Sequence, residues 1–181
     1  MTEIPAENYA QAWAPDTRDA LPLAGDERTI LTAVLDWYRQ TFELKCSGVP
    51  PERLSEKNIP PSGLSLHGLV RHLAQVERWW FRQQFAGEDV LHLYYSHDDP
   101  NQDFDSLDGD PAEDFAIWRA ECDHAREIVA RTPSLDQTGI RQSNGQPISL
   151  RRILMDMITE YARHDGHADL LRERIDGATG Y

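Results

Sequence analysis

Apolar positions recur along this chain at helical rather than strand spacing, in four separate stretches. The first opens at Gly25-Asp26 and carries Ile30, Val34, Trp37, Tyr38, Phe42 and Leu44 on one broad face, until Ser47-Gly48 and Pro50-Pro51 end it. Ser65 is an N-cap for the second, where Leu66, Leu69, His72, Leu73, Val76, Trp79 and Trp80 step along one side to Phe85. Asp110-Pro111-Ala112-Glu113 starts the third with a cap, a proline at the first helical position and a carboxylate at the third. Phe115, Ile117, Trp118, Cys122, Ala125, Ile128 and Val129 then follow to Arg131, before Thr132-Pro133. Ser149 caps the fourth, which runs to Ile175 with Ile153, Met157, Glu160, His164, His167 and Leu171 on one inward stripe.

The segments between these stretches lack a period. Residues 1–24, rich in Pro, Ala, Asp and Glu, read as an extended arm anchored by Tyr9 and Trp13, ahead of a domain over 25–181. Prolines and glycine make 50–65 a structured connection, and 133–148 reads as a connection with a brief hairpin around Asn144-Gly145. The acidic and aromatic excursion over 87–110 is long for a plain connection, which points to a functional loop or lid. Four helices with long connections between 1 and 2, 2 and 3, and 3 and 4 predict an all-α fold, a single four-helix bundle.

Composition narrows the functions available. The chain has 181 residues, a formal net charge of -13 and a pI of about 4.8, which suits one domain and disfavours a nucleic-acid partner. Arg151, Arg152, Arg163, Arg172 and Arg174 gather on the fourth helix, but Asp156, Glu160, Asp165, Asp169, Glu173 and Asp176 interleave with them as on a solvated face. The acidic N-terminus is unlike a signal peptide and no long apolar run occurs, so no membrane association and a cytoplasmic location are expected. Cys46 and Cys122 stand outside any CxxC and read as unreactive free thiols of a reducing compartment.

The polar residues on the fourth helix's apolar stripe bring in chemistry. A carboxylate taken out of water without a partner costs several kcal/mol, so Glu160 needs a proton, a partner or a cation. Glu160 and His164 are four residues apart and project together, roughly 6 Å apart, as suits chelation of one metal ion. His72, on the second helix's core face, is the best third ligand, whereas His124 sits beside Asp123 and Arg126 on a wetter side, and His92 and His97 read as surface histidines. Such a set suits zinc first, with nickel, iron or manganese also compatible, and leaves a position for water or substrate. His167 is expected to orient the site or accept a proton rather than to ligate. Gly166 inside a helix costs about 1 kcal/mol against Ala, and close approach of a neighbouring helix or ligand would explain it. Spacing alone leaves another assignment open, in which His72 and His164 are hydrogen-bonded core histidines and Glu160 pairs with Arg163 or Arg71. Trp79, Trp80, Tyr94, Tyr95 and Trp118 are read as core before pocket.

The phrases PPSGLSLHGLVRHLAQVERWWF (60–81), FAGEDV and EYARHDGHADLLRERIDG (160–177) resemble the DinB-like superfamily of metal-binding proteins, in its actinobacterial branch, over about Asp26 to Gly177. The resemblance implies a four-helix bundle with one ligand from the second helix and two from the last, onto which His72, Glu160 and His164 map. Glu160 stands where much of the superfamily has a histidine, the variant of mycothiol-dependent maleylpyruvate isomerase. The chain ends soon after the fourth helix, without that isomerase's extra C-terminal domain, so the isomerase's own reaction is not expected. Relatives that use mycothiol, bacillithiol or glutathione imply a metal-dependent S-transferase or isomerase acting on a small electrophile with a low-molecular-weight thiol such as mycothiol. A non-catalytic metal- or ligand-binding bundle acting in a stress response is the alternative. Exposed aromatic faces and the resemblance together suggest a homodimer.

Overall fold

The computed structural model describes residues 16, 18–141 and 143–179. Within them the chain is mostly helical: α1 (Glu27–Cys46), α2 (Pro51–Leu54), α3 (Leu66–Glu77), which continues as a π-helical segment (Arg78–Phe85), α4 (Gln102–Asp105), α5 (Pro111–Arg131) and α6 (Leu150–Asp176). β1 (Thr138–Arg141) and β2 (Gln146–Ser149) pair antiparallel, Thr138 opposite Ser149 and Arg141 opposite Gln146, with Gly145 at φ +68° in the turn. The four periodic stretches are thus four long helical elements, and α2 and α4 are single turns inside the connections 50–65 and 87–110.

The helix starts follow from local chemistry. Asp26, Ser65, Asp110 and Ser149 each accept a backbone N–H of the following first turn through the side chain, which satisfies a donor that the helix itself cannot. α1 packs along α6 and α3 along α5, and α3 also meets α6. Between them lie Leu35 and Phe42, Leu66, Leu69, Leu73 and Phe81, Phe115 and Trp118, and Ile153, Leu154 and Met157, all buried.

Three details depart from the periodic reading. In α1 the buried positions are Leu35, Arg39, Thr41, Phe42, Lys45 and Cys46, with Val34 and Trp37 only half-buried. The reason is that Arg18 and Asp19 lie on that side: Arg18 sits 4.4 Å over the Trp37 ring and donates to Thr41 Oγ1, and Asp19 N–H donates to Gln40. The arm's proposed anchors, Tyr9 and Trp13, are outside the described residues. In α6, Glu160 and His167 are half-buried at the edge of the stripe, and Tyr161, Asp165 and Ala168 are buried instead, because α6 meets neighbours on two sides. Gly166 is exposed, and a Cβ built on it meets nothing within 4 Å, so close approach does not account for it. The tightest glycine is Gly139, whose Cβ would lie 2.3 Å from the Gln84 carbonyl oxygen, where the hairpin rests on the π segment.

Candidate metal centre

His72 on α3 and Glu160 and His164 on α6 come together across the helix pair, with one ligand atom from each inside a span of 4.8 Å. Glu160 Oε1 lies 3.1 Å from His72 Nε2 and 3.2 Å from His164 Nε2. Four-residue spacing on α6 makes the second contact, and α3–α6 packing makes the first. Both imidazoles therefore turn Nε2 toward the same carboxylate oxygen. Their other nitrogens are engaged away from it: His72 Nδ1 is 2.8 Å from Asp103 Oδ2, and His164 Nδ1 is 3.3 Å from His167 Nδ1. Side chains of His72 and Glu160 remain 23% and 26% exposed, so the cluster opens to solvent.

Electrostatics shows what holds this cluster together without a cation. Burial works against a charge on His72, but hydrogen bonds to Asp103 and Glu160 outweigh it and push its pKa up to about 9. Bonds from His164 and His72 hold Glu160 well below the usual carboxylate range. A proton on His72 thus does the work of a positive charge between two carboxylates. Burial, with His164 and Arg163 nearby, pushes His167 down.

The donor set fits a divalent cation. Ligand atoms about 2.1 Å from a tetrahedral ion stand roughly 3.4 Å apart, close to the two nitrogen–oxygen separations observed here. A histidine whose Nδ1 is tied to a carboxylate, as His72 is to Asp103, is the usual arrangement for Nε2 ligation. The pairings of Glu160 with Arg163 or Arg71 do not form; Arg71 turns the other way, to Asp114 and to the Gln102 and Asp103 carbonyls.

That turn of Arg71 belongs to a second cluster, which periodicity gave no reason to expect. His67, fully buried on α3, has Nε2 2.6 Å from Asp114 Oδ2 and Nδ1 2.8 Å from Ser55 Oγ. Tyr94 OH donates to Asp114 Oδ1 at 2.5 Å, and Arg71 donates to Oδ2 at 3.3 Å. The bond from His67 and those from Tyr94 and Arg71 lower the Asp114 carboxyl against the opposing effect of burial. With His67 at 0% exposure this chain of bonds is a strut. Through Arg71 it fastens α4, and α4 brings Asp103 to His72. Asp114 reads in sequence only as an acidic residue in a helix's first turn.

The remaining candidates fall outside the cluster. His124 is exposed, and His92 and His97 lie in the loop before α4. Both cysteines are buried, and burial pushes their thiols up, as unreactive groups require. Asp165 is 5% exposed with neither oxygen hydrogen-bonded, and burial raises its carboxyl to about 8. Of the aromatic set, Trp118 and Tyr94 are core, whereas Trp79 and Tyr95 line a cleft of about 720 Å³ that His72 and Asp103 also wall. No described helix is long and apolar enough to cross a membrane.

A family model described as mycothiol-S-transferase matches residues 30–177. No curated protein matches the chain. Among solved structures, the chain is similar to the crystal structure of a conserved protein of locus from Enterococcus faecalis, with a TM-score of 0.62 and 15% identity over 85% of this chain and 99% of that one. At that identity the likeness carries the fold alone.

Proposed function

The chain belongs to the mycothiol-S-transferase family, a DinB-like family, and from that premise we propose that it transfers a low-molecular-weight thiol of the mycothiol type to a small electrophile. In this reading the four long helices act as one DinB-like bundle, and His72, Glu160 and His164 hold a divalent cation, zinc before nickel, iron or manganese. The observation that carries it is the convergence of two Nε2 atoms and one carboxylate oxygen beside a cleft large enough for a small substrate.

A cation bound there supplies Lewis acidity, which lowers the pKa of a thiol brought to its open position. The protein's own groups prepare that position. Asp103 accepts the Nδ1 proton of His72, which fixes the ring and makes Nε2 the nitrogen that gives up its proton when a cation binds. His164, with its Nδ1 proton directed to His167 Nδ1, is held in the same way. His167 then spends its lone pair on that bond and carries its own proton on Nε2, so its role is to orient His164 rather than to act as a base.

The test is thiol consumption by the purified protein with mycothiol and a panel of activated alkenes and epoxides. Wild type is expected to accelerate consumption, and His164→Ala to return it to the uncatalysed background with its metal lost. Tight metal binding by a wild type that consumes no thiol would overturn the transferase reading in favour of a metal-binding protein that acts through partners.

A further inference from the structure

The cleft beside His72 has walls of unusual composition for a site next to carboxylates. Trp79 of the π segment forms one side, and His92, Tyr95 and His97 of the loop before α4 form another. Their rings meet edge to face, His92 and Tyr95 at 5.1 Å and Tyr95 and His97 at 6.1 Å between centroids. Tyr95 is 39% exposed, a large ring left partly in solvent. Among the described residues no lysine or arginine lines the cleft, and its one carboxylate, Asp103, is engaged by His72. A negatively charged substrate would find no ammonium or guanidinium along these walls, and the one charged ring, His72, is already taken up by Asp103 and Glu160. A flat, uncharged one would find π surface.

One hydrogen bond fixes the protonation of His92. Gln75 Oε1 accepts from Leu93 N–H at 2.6 Å and from Tyr94 N–H at 3.3 Å, and backbone amides can only donate. The Gln75 amide is thereby oriented, and its Nε2 must donate to His92 Nδ1, 2.8 Å away. His92 Nδ1 is an acceptor, so the proton of its imidazole is on Nε2. The loop is held in this place at two further points, Arg78 donating to the Leu91 carbonyl and Gln83 to the Val90 carbonyl. His92, although exposed, is therefore a positioned ring in the cleft wall that carries its N–H on Nε2.

We infer that this cleft takes an uncharged, flat, conjugated carbonyl compound, with its rings against Tyr95 and Trp79 and its carbonyl oxygen accepting from His92 Nε2–H. The inference rests on the thiol-transfer reading and names its electrophile. In the reaction the thiol sulfur forms a bond to the β-carbon, and the π pair of the alkene moves toward the carbonyl oxygen, where the His92 N–H meets the growing negative charge. The proton given up by the thiol ends on the α-carbon, so thiol and enone become one saturated thioether with no other reactant.

The experiment compares 4-phenyl-3-buten-2-one with its 4-carboxyphenyl analogue, mycothiol being the thiol, and each rate is divided by its uncatalysed rate. Wild type should favour the neutral enone by about ten-fold or more in kcat/KM. His92→Phe, which keeps a ring and removes the donor, should lower kcat by about ten-fold or more with KM little changed. Tyr95→Leu should raise KM with kcat little changed. Equal or better use of the carboxylate, or an unchanged kcat in His92→Phe with its fold intact by circular dichroism, would overturn the inference. If wild type consumes neither enone but conjugates an epoxide, the inference fails and the transfer reading stands; if it consumes no electrophile at all, the transfer reading fails and the cleft is judged by calorimetric binding of the saturated ketones. Tighter binding of 4-phenyl-2-butanone than of its carboxylate then supports the cleft assignment, and the reverse or equality sinks it.

Discussion

Glu160 Oε1 receives two imidazole nitrogens, and Asp103 Oδ2 receives the far side of one of them. In the metal-free protein this makes His72 a cation whose pKa rises to about 9 from 6.5. A raised pKa means that its stabilisation is full below 6.5 and disappears as pH rises through about 9. Buried Asp165, raised from 3.8 to about 8, acts in the same direction. Glu160 is lowered, and its contribution is lost only as pH falls below its ordinary 4.5. The urea midpoint of metal-free protein should therefore fall between about pH 6 and about pH 9.5, and a flat or rising midpoint would contradict this assignment. Glu160 and His164 were legible as a pair because four-residue spacing is a helix property. His72 was legible by its position on an inward face. Asp103 and Asp114 were not, since each reaches its partner from a separate segment, and no local pattern records such a meeting.

At the scale of elements, one buried polar knot takes a residue from every long helix. Arg39 of α1 donates to both oxygens of Glu77 on α3, at 2.8 and 2.7 Å, and Tyr161 of α6 donates to Glu77 at 2.8 Å. Trp118 of α5 donates in turn to the Tyr161 hydroxyl at 2.8 Å. Glu77→Ala leaves Arg39 buried without its main partner and should cost about 3–5 kcal/mol in urea unfolding; a loss below about 1 kcal/mol would show that the knot is dispensable. The two glycines separate local from long-range effects. Gly166→Ala, in open space within a helix, should stabilise by up to about 1 kcal/mol, whereas Gly139→Ala must push the hairpin off the Gln84 and Phe85 backbone and should destabilise. The opposite order of thermal midpoints would refute this packing. Helix starts were readable because a cap is a few adjacent residues. The π segment was not, because the period changes at Arg78 while the apolar positions run on without a break. Nothing in the sequence singled out Arg39 and Glu77, because charge by itself says nothing about which helix lies opposite.

For the whole molecule, periodicity supplied the number of long helices and part of their inward faces, but not which helices touch. That pairing, α1 with α6 and α3 with both α5 and α6, is what turns separate histidines into a cluster. The connections matter as much as the helices. The loop before α4 walls the cleft, and α4 carries the carboxylate that orients His72. His92 and His97 of the long 87–110 excursion are exposed, as read from the sequence, and both line that cleft. Elemental analysis of the purified, untagged protein beside His164→Ala and Glu160→Ala tests the central claim most directly. The account predicts close to one transition-metal ion per chain in wild type and loss of that metal in both folded variants. Wild type that stays metal-free after incubation with zinc, nickel and manganese would contradict it, and the cluster would then be a proton-bridged structural contact.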